Sequence, residues 1–340
     1  MLDYIKLKIN FKTLTEVYLP EYKGSTLRGM FKTSLRRICC VFKKAPCMEC
    51  LLKEQCAYSI ITEHRTKSGE NTVLPYAISC LELEKNLYEK GETFSFNMFI
   101  AGKAVSHLPY IVYGLTKWDK LDMGWFQPFV TNKEINNHGP YYRWPAEVRP
   151  RGKLGLVTVE QIFENGKKSI YTPDGLLTKP DVKTLSLESG SLEGSWRVCI
   201  NFLSPVRIFR KVNTANAKRK KDLIASQAFN SKLFFHSILT RFSGLHIHFC
   251  DGSEDFGPLT LEKNKKNIEM VRMGKNHLEF EKLRRYKRDM TRWVHMDGLK
   301  GEVEFKNVPG ALIPWIRAGE IFHMGKFPTM GFGEYKVEYL

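Results

Sequence analysis

The spacing of apolar residues in the first half of the chain predicts four strands and two helices. Residues 2–11 alternate apolar and polar side chains, which is the two-residue period of a strand with one buried face. Residues 26–38 instead place apolar side chains at helical spacing, after a glycine turn and a Ser or Thr at the N-cap position. The remaining elements are predicted, in the order strand, strand, helix, strand, at 72–83, 93–102, 104–118 and 154–163. The order in the first half is therefore β-α-β-β-α-β.

The second half of the chain repeats this order less clearly. A strand, a helix, a strand pair, a short helix and a final strand are predicted at 195–209, 222–242, 292–305, 310–319 and 332–340. Two tandem ferredoxin-like (RRM-like) βαββαβ domains are the simplest architecture that fits both halves, so the predicted fold class is α+β. The Ser- and Gly-rich stretch 186–195 predicts a boundary near residue 190, which gives domains of residues 1–190 and 191–340.

Two segments lie outside these units. Residues 121–152 interleave aromatic, proline and arginine residues in a long loop, and residues 210–222 are polar and basic. Long loops in compact domains are usually functional or disordered, so both segments are candidates for ligand contact.

Composition adds a strong charge to this picture. The chain has 340 residues, enough for two domains, and its 53 Lys and Arg residues against 36 Asp and Glu residues give a formal net charge of +17. A balance this basic indicates a polyanionic partner, with nucleic acid ahead of a membrane surface. No stretch approaches the roughly 20 continuous apolar residues of a membrane span, and the first residues lack the features of a signal peptide. We therefore expect a cytoplasmic protein without membrane association.

Five of the eight cysteines lie within residues 39–56. In a chain predicted to be cytoplasmic, such a cluster favours free, catalytic or metal-bound thiols over disulfides. Four of them follow the spacing C-x6-C-x2-C-x5-C, which can complete a tetrahedral shell of sulfur about zinc: Cys40, Cys47, Cys50 and Cys56. Cys39 could replace Cys40, and a group of unligated buried thiols is the alternative. A closed shell leaves no open coordination position, so any zinc is expected to stabilise the insertion at about 39–60 and not to catalyse.

Basic residues concentrate in three segments, the helix at 26–38, residues 210–221 and residues 282–293. In a strand, residues 284–288 would present basic and aromatic side chains on one face, and such surfaces commonly hold single-stranded RNA through phosphate contacts and base stacking. A solvated charge run is the alternative, and it is the better account of residues 218–221. The RNA-binding candidates from the first and third segments are Arg28, Arg36, Arg284, Arg285, Arg288 and Arg292.

A glycine-rich stretch, GKFPTMGFG at 325–333, precedes the final strand. Exposed backbone N–H groups and the cation of Lys326 would let a sugar-phosphate chain lie against it, so Gly325, Lys326, Gly331 and Gly333 are further RNA-binding candidates. A tight turn that needs positive φ explains the glycines equally well. The stretch is neither a P-loop nor a dinucleotide-binding fingerprint.

Four stretches together resemble a known family. They are YKGSTLRGMFKTSLRR, the cysteine segment ending in CAYSI, RRYKRDMTRWVHMDGLKGEVEF, and HMGKFPTMGFGEYKV. In these stretches the chain is similar to the CRISPR-associated endoribonucleases of family six, in the RAMP superfamily, whose signature is the glycine-rich loop. The resemblance implies two ferredoxin-like domains, binding of CRISPR repeat RNA, and cleavage of precursor CRISPR RNA to guide RNAs. It also implies attack by a 2′-hydroxyl without a catalytic metal, which leaves a 2′,3′-cyclic phosphate and a 5′-hydroxyl.

The implied reaction needs a base for the 2′-hydroxyl, an acid for the leaving 5′-oxygen and a cation for the developing charge. In this family the catalytic histidine often lies in or near the first helix, and residues 22–38 contain no histidine. The candidates are therefore His64, which follows the cysteine insertion, and His323, which precedes the glycine-rich stretch. Tyr22 and Lys32 are alternatives that do not require a histidine.

Other interpretations of the sequence stay open. His246 and His248, at i and i+2, could share one face of a strand, in a context typical of packing. The lack of a histidine in the first helix also fits a non-catalytic RAMP subunit that holds guide RNA in a CRISPR effector complex with other subunits. A zinc-stabilised DNA-binding protein would explain the charge and the cysteines, but not the glycine-rich stretch or the repeated order of elements.

Overall fold

The computed structural model of the chain describes most of its residues. The described ranges are 1–43, 45–66, 69, 72–123, 152–185, 192–212, 220–250, 256–287 and 292–340. Most of the predicted loop at 121–152 and the RNA-binding candidate Arg288 therefore lie outside the described residues. Among the helices described, none is long and apolar enough to cross a membrane.

The first half of the chain forms an antiparallel sheet of ferredoxin-like topology. The strands of this half are β1 (Leu2–Thr13), β2 (Val17–Tyr18), β3 (Tyr76–Ser79), β4 (Leu87–Tyr88), β5 (Thr93–Ala101), β6 (Leu154–Phe163), β7 (Gly166–Tyr171) and β8 (Lys183–Leu185). The order across the sheet is β3-β5-β1-β6-β7, β8 pairs with the start of β1, and β2 and β4 pair separately. The first and third strands of the βαββαβ unit, β1 and β5, are thus central.

Three helices accompany this sheet: α1 (Gly24–Cys39), α2 (Ala57–Thr62) and α3 (Leu108–Thr116). The alternation predicted for β1 buries one of its faces, from Ile5 to Phe11, in the same core as the apolar stripe of α1. Phe11 stacks on Trp118, with 4.8 Å between the ring centroids. This contact fixes the turn that follows α3 against the sheet.

The second half forms another antiparallel sheet of the same topology. Its strands are β9 (Ser195–Val206), β10 (Phe209–Val212), β11 (Lys220–Leu223), β12 (Arg272–Glu281), β13 (Arg284–Lys287), β14 (Arg292–His295), β15 (Gly298–Pro309) and β16 (Tyr335–Tyr339). The sheet order is β12-β15-β9-β16, while β10 pairs with β11 and β13 with β14. The predicted α+β fold with two ferredoxin-like units is confirmed. The boundary expected near residue 190 lies outside the described residues and stays a prediction.

The helices of the second unit are α4 (Ser231–Phe249), α5 (Phe256–Met270) and α6 (Ile313–Phe322). The helix predicted at 222–242 is wrong at both ends. It begins after Asn230 because the side-chain oxygen of this residue accepts a hydrogen bond from the N–H of Leu233 at 3.0 Å, which caps the helix. Since α4 continues to residue 249, His246 and His248 lie in a helix and cannot share a strand face, so that prediction is also wrong.

The strand pair predicted at 292–305 is also different in the structure. The strands β14 and β15 occupy this segment, but β14 pairs with β13 and β15 pairs with β12. The sequence pattern predicts neither β12 nor α5. Most side chains of β12 are exposed on both faces, so this strand lacks the apolar alternation by which a half-buried strand is recognised.

The two units share a packed interface, which we call the interunit interface. Phe99 of β5 belongs to the apolar core of the second unit, and its ring centroid lies 4.5 Å from that of Phe322 at the end of α6. The buried guanidinium of Arg241 in α4 donates hydrogen bonds to the main-chain carbonyls of Phe322 at 2.7 Å and Tyr76 at 3.4 Å. The interface is therefore held by polar bonds as well as by apolar contacts.

Candidate active site

The glycine-rich stretch is folded into the interunit interface. Gly325, Gly331 and Gly333 have φ angles of +73°, +86° and +70°, in the left-handed region that favours glycine. A Cβ at Gly333 would overlap the carbonyl oxygen of Met324, and one at Gly331 would lie 3.0 Å from Sγ of Cys80. Gly331 and Gly333 are buried. The tight turn therefore accounts for these two glycines, and their backbone is not on the surface where RNA contact is predicted.

The stretch docks on the start of α1. A Cβ at Gly24 would overlap the carbonyl oxygen of Met330, so the two backbones touch. Arg285 of β13 reaches the same place, where its Nη1 donates to the hydroxyl of Ser25 at 3.2 Å. The structure thus brings together the glycine-rich stretch, the first helix and part of the third basic segment.

Two of the predicted catalytic side chains lie in this junction, His323 buried and Tyr22 half-buried with its hydroxyl oxygen enclosed. The ring of Tyr22 lies 4.8 Å from that of Phe332, and burial, reinforced by Cys80, raises the pKa of the Tyr22 hydroxyl well above its ordinary value. His323 is 6% exposed, and burial, together with the charge of Arg241, lowers its pKa to about 3. Because neither the hydroxyl nor the imidazole is exposed, we assign both side chains packing roles.

Several RNA-binding candidates stay on the surface. Arg36, Arg284 and Lys326 are exposed, and Arg28 is half-buried on α1. Arg292 lies in β14, opposite Lys287. Cations are therefore available at the far end of α1, on the β13–β14 hairpin and beside the glycine-rich stretch, and their RNA contacts remain predictions.

Three histidines and three cationic side chains line a cavity of about 850 Å³ at the interunit interface. His64 comes from the segment after α2, His107 from the end of a 3₁₀ helix that begins at Gly102, and His248 from the last turn of α4. The 3₁₀ helix and α4 meet closely, since a Cβ at Gly102 would overlap the backbone of Phe249. The ring centroids of His64 and His248 lie 5.2 Å apart. We call this cavity the histidine pocket and define it by His64, His107, His248, Lys53, Arg65 and Lys103.

The hydrogen bonds of His64 fix which of its nitrogens can accept a proton. Its Nδ1 lies 2.9 Å from the hydroxyl oxygen of Thr72, which is also 3.1 Å from the carbonyl oxygens of His64 and Val73. A carbonyl only accepts, so the tautomer in which the hydroxyl donates to one of them and accepts the Nδ1–H of His64 makes use of both bonds and is favoured by this geometry. Burial and the neighbouring His248 lower the pKa of His64, which keeps the ring neutral near pH 7. Nε2 of His64 is therefore suited to act as a base.

The charge of the histidine pocket is positive. Its three cations face two carboxylates, Glu54 and Glu63, and Glu63 is already paired, with 2.5 Å between its Oε1 and Nζ of Lys32. Burial works against the ionised form of Glu63, but the bond and charge of Lys32 outweigh it and lower the pKa of the carboxyl. Lys32, a predicted catalytic residue, is therefore held in an ion pair with a residue that lines the pocket, and does not face the reacting groups itself.

Comparisons with known proteins assign the chain to a family. Residues 2–182, more than half of the chain, match the AF_1859 N-terminal domain, so the chain belongs to the family with this domain. Residues 200–335 match the family model described as CRISPR-associated endoribonuclease Cas6. The second unit of the chain is thereby assigned to the Cas6 family. The family resemblance predicted from the sequence motifs is thereby confirmed.

The relatives of this Cas6-family protein are distant. An uncharacterised protein of Archaeoglobus fulgidus is 30% identical over 111 residues, so the match spans 32% of this chain and 38% of that relative. Among solved structures, a Cas6 product complex is 12% identical and aligns with a TM-score of 0.56 over 98% of this chain and 100% of that chain. A partial Cas6-RT-Cas1–Cas2 complex is 12% identical and aligns with a TM-score of 0.52 over 100% of this chain and 46% of that chain. These structures share the fold of this chain.

The cysteine insertion of this Cas6-family protein borders the histidine pocket. Cys39, Cys40, Cys47, Cys50 and Cys56 line one small cavity of about 20 Å³, and Cys47 also lines the histidine pocket. Burial raises the pKa of Cys39 to about 11 and also raises that of Cys47. Within the described ranges, no group of three or more His, Cys, Asp or Glu side chains is placed to hold a metal ion. The all-sulfur donor set suits zinc, while the ligand distances are not formed in this structure.

The sequence analysis missed five members of the histidine pocket. His107 and Lys103 lie at the start of a predicted helix, and His248 is predicted there only as a packing residue. Lys53 lies within the cysteine insertion and Arg65 follows the helix after it, where nothing in the spacing marks them. Since these residues meet only in the folded protein, and His248 only across the interunit interface, no local pattern could have grouped them with His64.

Proposed function

We propose that this Cas6-family protein is an endoribonuclease that binds CRISPR repeat RNA and cuts precursor CRISPR RNA within each repeat to release guide RNAs. The catalytic centre of the proposal is the histidine pocket. The observation that carries it is the convergence of three histidines and three cations, from both units, on one cavity. The match to the Cas6 endoribonuclease model and the formal charge of +17 support RNA as the substrate.

The proposed reaction needs only the side chains of the pocket. Nε2 of His64 takes the proton of a 2′-hydroxyl, whose oxygen attacks the adjacent phosphorus while the bond from phosphorus to the 5′-oxygen breaks. A second, protonated histidine of the pocket, His107 or His248, gives its proton to the leaving 5′-oxygen. The products are a 2′,3′-cyclic phosphate and a 5′-hydroxyl, and no catalytic metal takes part. Lys103, Arg65 and Lys53 offset the extra negative charge of the phosphorane.

RNA outside the pocket is proposed to follow the exposed cations. Arg36 and Arg284 offer phosphate contacts on α1 and on the β13–β14 hairpin, and Lys326 offers one beside the glycine-rich stretch. We further propose that the protein associates with other CRISPR-associated subunits. The support for this is the fold shared with 46% of a chain of a partial Cas6-RT-Cas1–Cas2 complex.

We also propose a structural zinc ion held by Cys40, Cys47, Cys50 and Cys56. It would join the end of α1 to the start of α2, and so would fix the segment that carries His64. The convergence of these thiols on one cavity supports this proposal. With four thiolates bound, such an ion stabilises the insertion and takes no part in the reaction.

The proposed function is tested by incubating the protein with its own repeat RNA in excess EDTA, with the ends of the fragments analysed and the zinc content measured afterwards. A single cut that leaves a 2′,3′-cyclic phosphate, and that is abolished by one 2′-deoxy substitution at the cut, is the expected result. Tight binding without a cut would contradict the enzyme and would favour a subunit that holds guide RNA. A cut that survives the 2′-deoxy substitution would contradict the mechanism.

A further inference from the structure

A second cavity adjoins the histidine pocket. Its volume is about 1030 Å³, and it shares three lining residues with the histidine pocket, Lys103, Ser106 and Phe249. The 3₁₀ helix that ends at His107 and the end of α4 form the wall that the two cavities have in common. A molecule that fills the histidine pocket can therefore extend into this adjoining cavity without leaving the protein surface.

The lining of the adjoining cavity differs from that of the histidine pocket. Most of it is apolar and comes from the start of α3 and from residues 177–182, with Leu108, Pro109, Leu177, Pro180 and Val182. Among its lining residues there is no histidine, and it contains one carboxylate, that of Asp3, whose Oδ1 accepts a hydrogen bond from the hydroxyl of Thr184 at 2.6 Å. Lys103 and Lys179 also line the cavity, so a phosphate can lie at its edge, while the apolar wall with its hydroxyls and one carboxylate suits a planar, hydrogen-bonding ring.

We propose that the adjoining cavity is a nucleobase subsite, which holds the base of a nucleotide whose phosphate lies in the histidine pocket. The proposal rests on the proposed function, because the phosphate in the histidine pocket is the one that is cut. Apolar side chains cover the faces of the ring, and the hydroxyls of Thr178 and Ser106 and the carboxylate of Asp3 are within the lining that faces its edge. A carboxylate accepts hydrogen bonds, so the subsite favours a base with an exocyclic amino group.

The base in this subsite belongs either to a nucleotide within RNA or to a free nucleotide. The variant Val182→Trp separates them, because Val182 lines the cavity and is 45% exposed, so a larger side chain fills the space without entering the core. The matched control is Leu176→Trp, since Leu176 is 90% exposed, lies nearby in the chain and does not line the cavity. Circular dichroism and thermal unfolding of both variants show that they fold.

Binding is measured with repeat RNA that carries a 2′-deoxy nucleotide at the cut, so that affinity is read without cleavage. Removing the base of one nucleotide beside the cut is expected to weaken binding to the wild type about tenfold, which is the scale of one stacked base. Val182→Trp is expected to weaken binding of the intact RNA by a similar factor and to show no further loss with the abasic RNA. Leu176→Trp is expected to behave as the wild type.

The outcomes are distinct. If the effects of Val182→Trp and of the abasic nucleotide multiply, the base is bound elsewhere and the proposal is overturned. If RNA binding is unchanged but Val182→Trp abolishes saturable binding of AMP, CMP or GMP, the subsite holds and its source is a free nucleotide. If the folded variant alters neither, the cavity binds no nucleobase. If the protein binds RNA with this pattern but never cuts it, the nucleobase subsite is supported and only the proposed nuclease activity is contradicted.

Discussion

The imidazole rings of His64 and His248 lie 5.2 Å apart, although one follows the second helix of the first unit and the other lies in the last turn of a helix in the second unit. The ring of His64 also lies 4.9 Å from that of Phe249, whose backbone the 3₁₀ helix of the first unit approaches closely at Gly102. In the proposed reaction, two histidines within one cavity would supply the base and the acid that the transfer of a phosphoryl group to a 2′-oxygen requires.

Replacing the proposed base should stop cleavage without releasing RNA. His64→Gln is expected to slow single-turnover cleavage by about 100- to 10,000-fold, because the variant cannot accept the 2′-proton. The affinity for 2′-deoxy repeat RNA should change less than threefold. His236→Gln, at an exposed position of α4, is the matched control. Wild-type cleavage by the folded His64→Gln variant would remove the histidine pocket from the mechanism.

A change of the leaving group shows which histidine acts as the acid in the proposed reaction. A repeat RNA with sulfur in place of the leaving 5′-oxygen needs no proton, because a thiolate leaves unaided. Either His107→Gln or His248→Gln removes the acid. That variant should cut the normal RNA slowly and the 5′-thio RNA at nearly the wild-type rate. His64→Gln should stay slow on both substrates. If neither variant is rescued by sulfur, the proton comes from another group.

The zinc proposal predicts that loss of the metal also loosens the structure of the cysteine insertion. The double variant Cys47→Ser and Cys50→Ser is expected to lower the zinc content from about one ion per chain to near zero, since two of four ligands are lost. It should also make the insertion more sensitive to proteolysis. Cys199→Ser, in the sheet of the second unit, is the control. Unchanged metal stoichiometry in the double variant, or wild-type protein without zinc, would contradict the site.

The docking of the glycine-rich stretch predicts opposite effects of one substitution at two positions of α1. Gly24→Ala should lower the free energy of unfolding by about 2 to 3 kcal/mol, because the new Cβ meets the carbonyl oxygen of Met330. Gly29→Ala should raise it by about 0.5 to 1 kcal/mol, because no atom lies near the new Cβ and alanine favours the helix. Urea titration measures both. Equal effects would show that the stretch does not pack on the helix.

Burial of His323 predicts a loss of stability in acid. Its pKa falls from the ordinary 6.5 to about 3 in the folded protein, so between these values the unfolded chain binds the proton and the folded protein does not. The free energy of unfolding should therefore decrease as the pH falls from about 6.5 to about 3, with a slope approaching about 1.4 kcal/mol per pH unit. His323→Asn should flatten this slope, whereas His236→Asn should not. An unchanged slope would indicate that other groups govern acid unfolding.

Helices and strands could be predicted from the sequence where their buried positions recur with a regular period. One face of β1 is buried and the other exposed, so its alternation could be read directly, and the apolar stripe of α1 was equally clear. The strand β12 escaped prediction because most of its side chains are exposed, and the start of α4 escaped because the apolar residues before Asn230 continue the pattern of the helix without belonging to it. Periodicity reports which faces are buried and says little about elements that are mostly exposed.

Only part of the candidate site could be predicted from the sequence. His64 was a candidate because it follows the first helix and the insertion, and the structure places it in the histidine pocket. His323 was a candidate because it precedes the glycine-rich stretch, but its neighbours in space bury it. Chain order could not distinguish the two histidines, because exposure depends on contacts between units that are far apart in sequence.

The division of the histidine pocket between the two units has a consequence for control. His64 and His107 belong to the first unit and His248 to the second, so neither unit alone holds the full set. In the proposed nuclease, cleavage would therefore depend on how the two units dock. A small rotation of one unit against the other would separate His248 from His64 while both units remain folded, and tethering the units together would change the rate at which guide RNA is released.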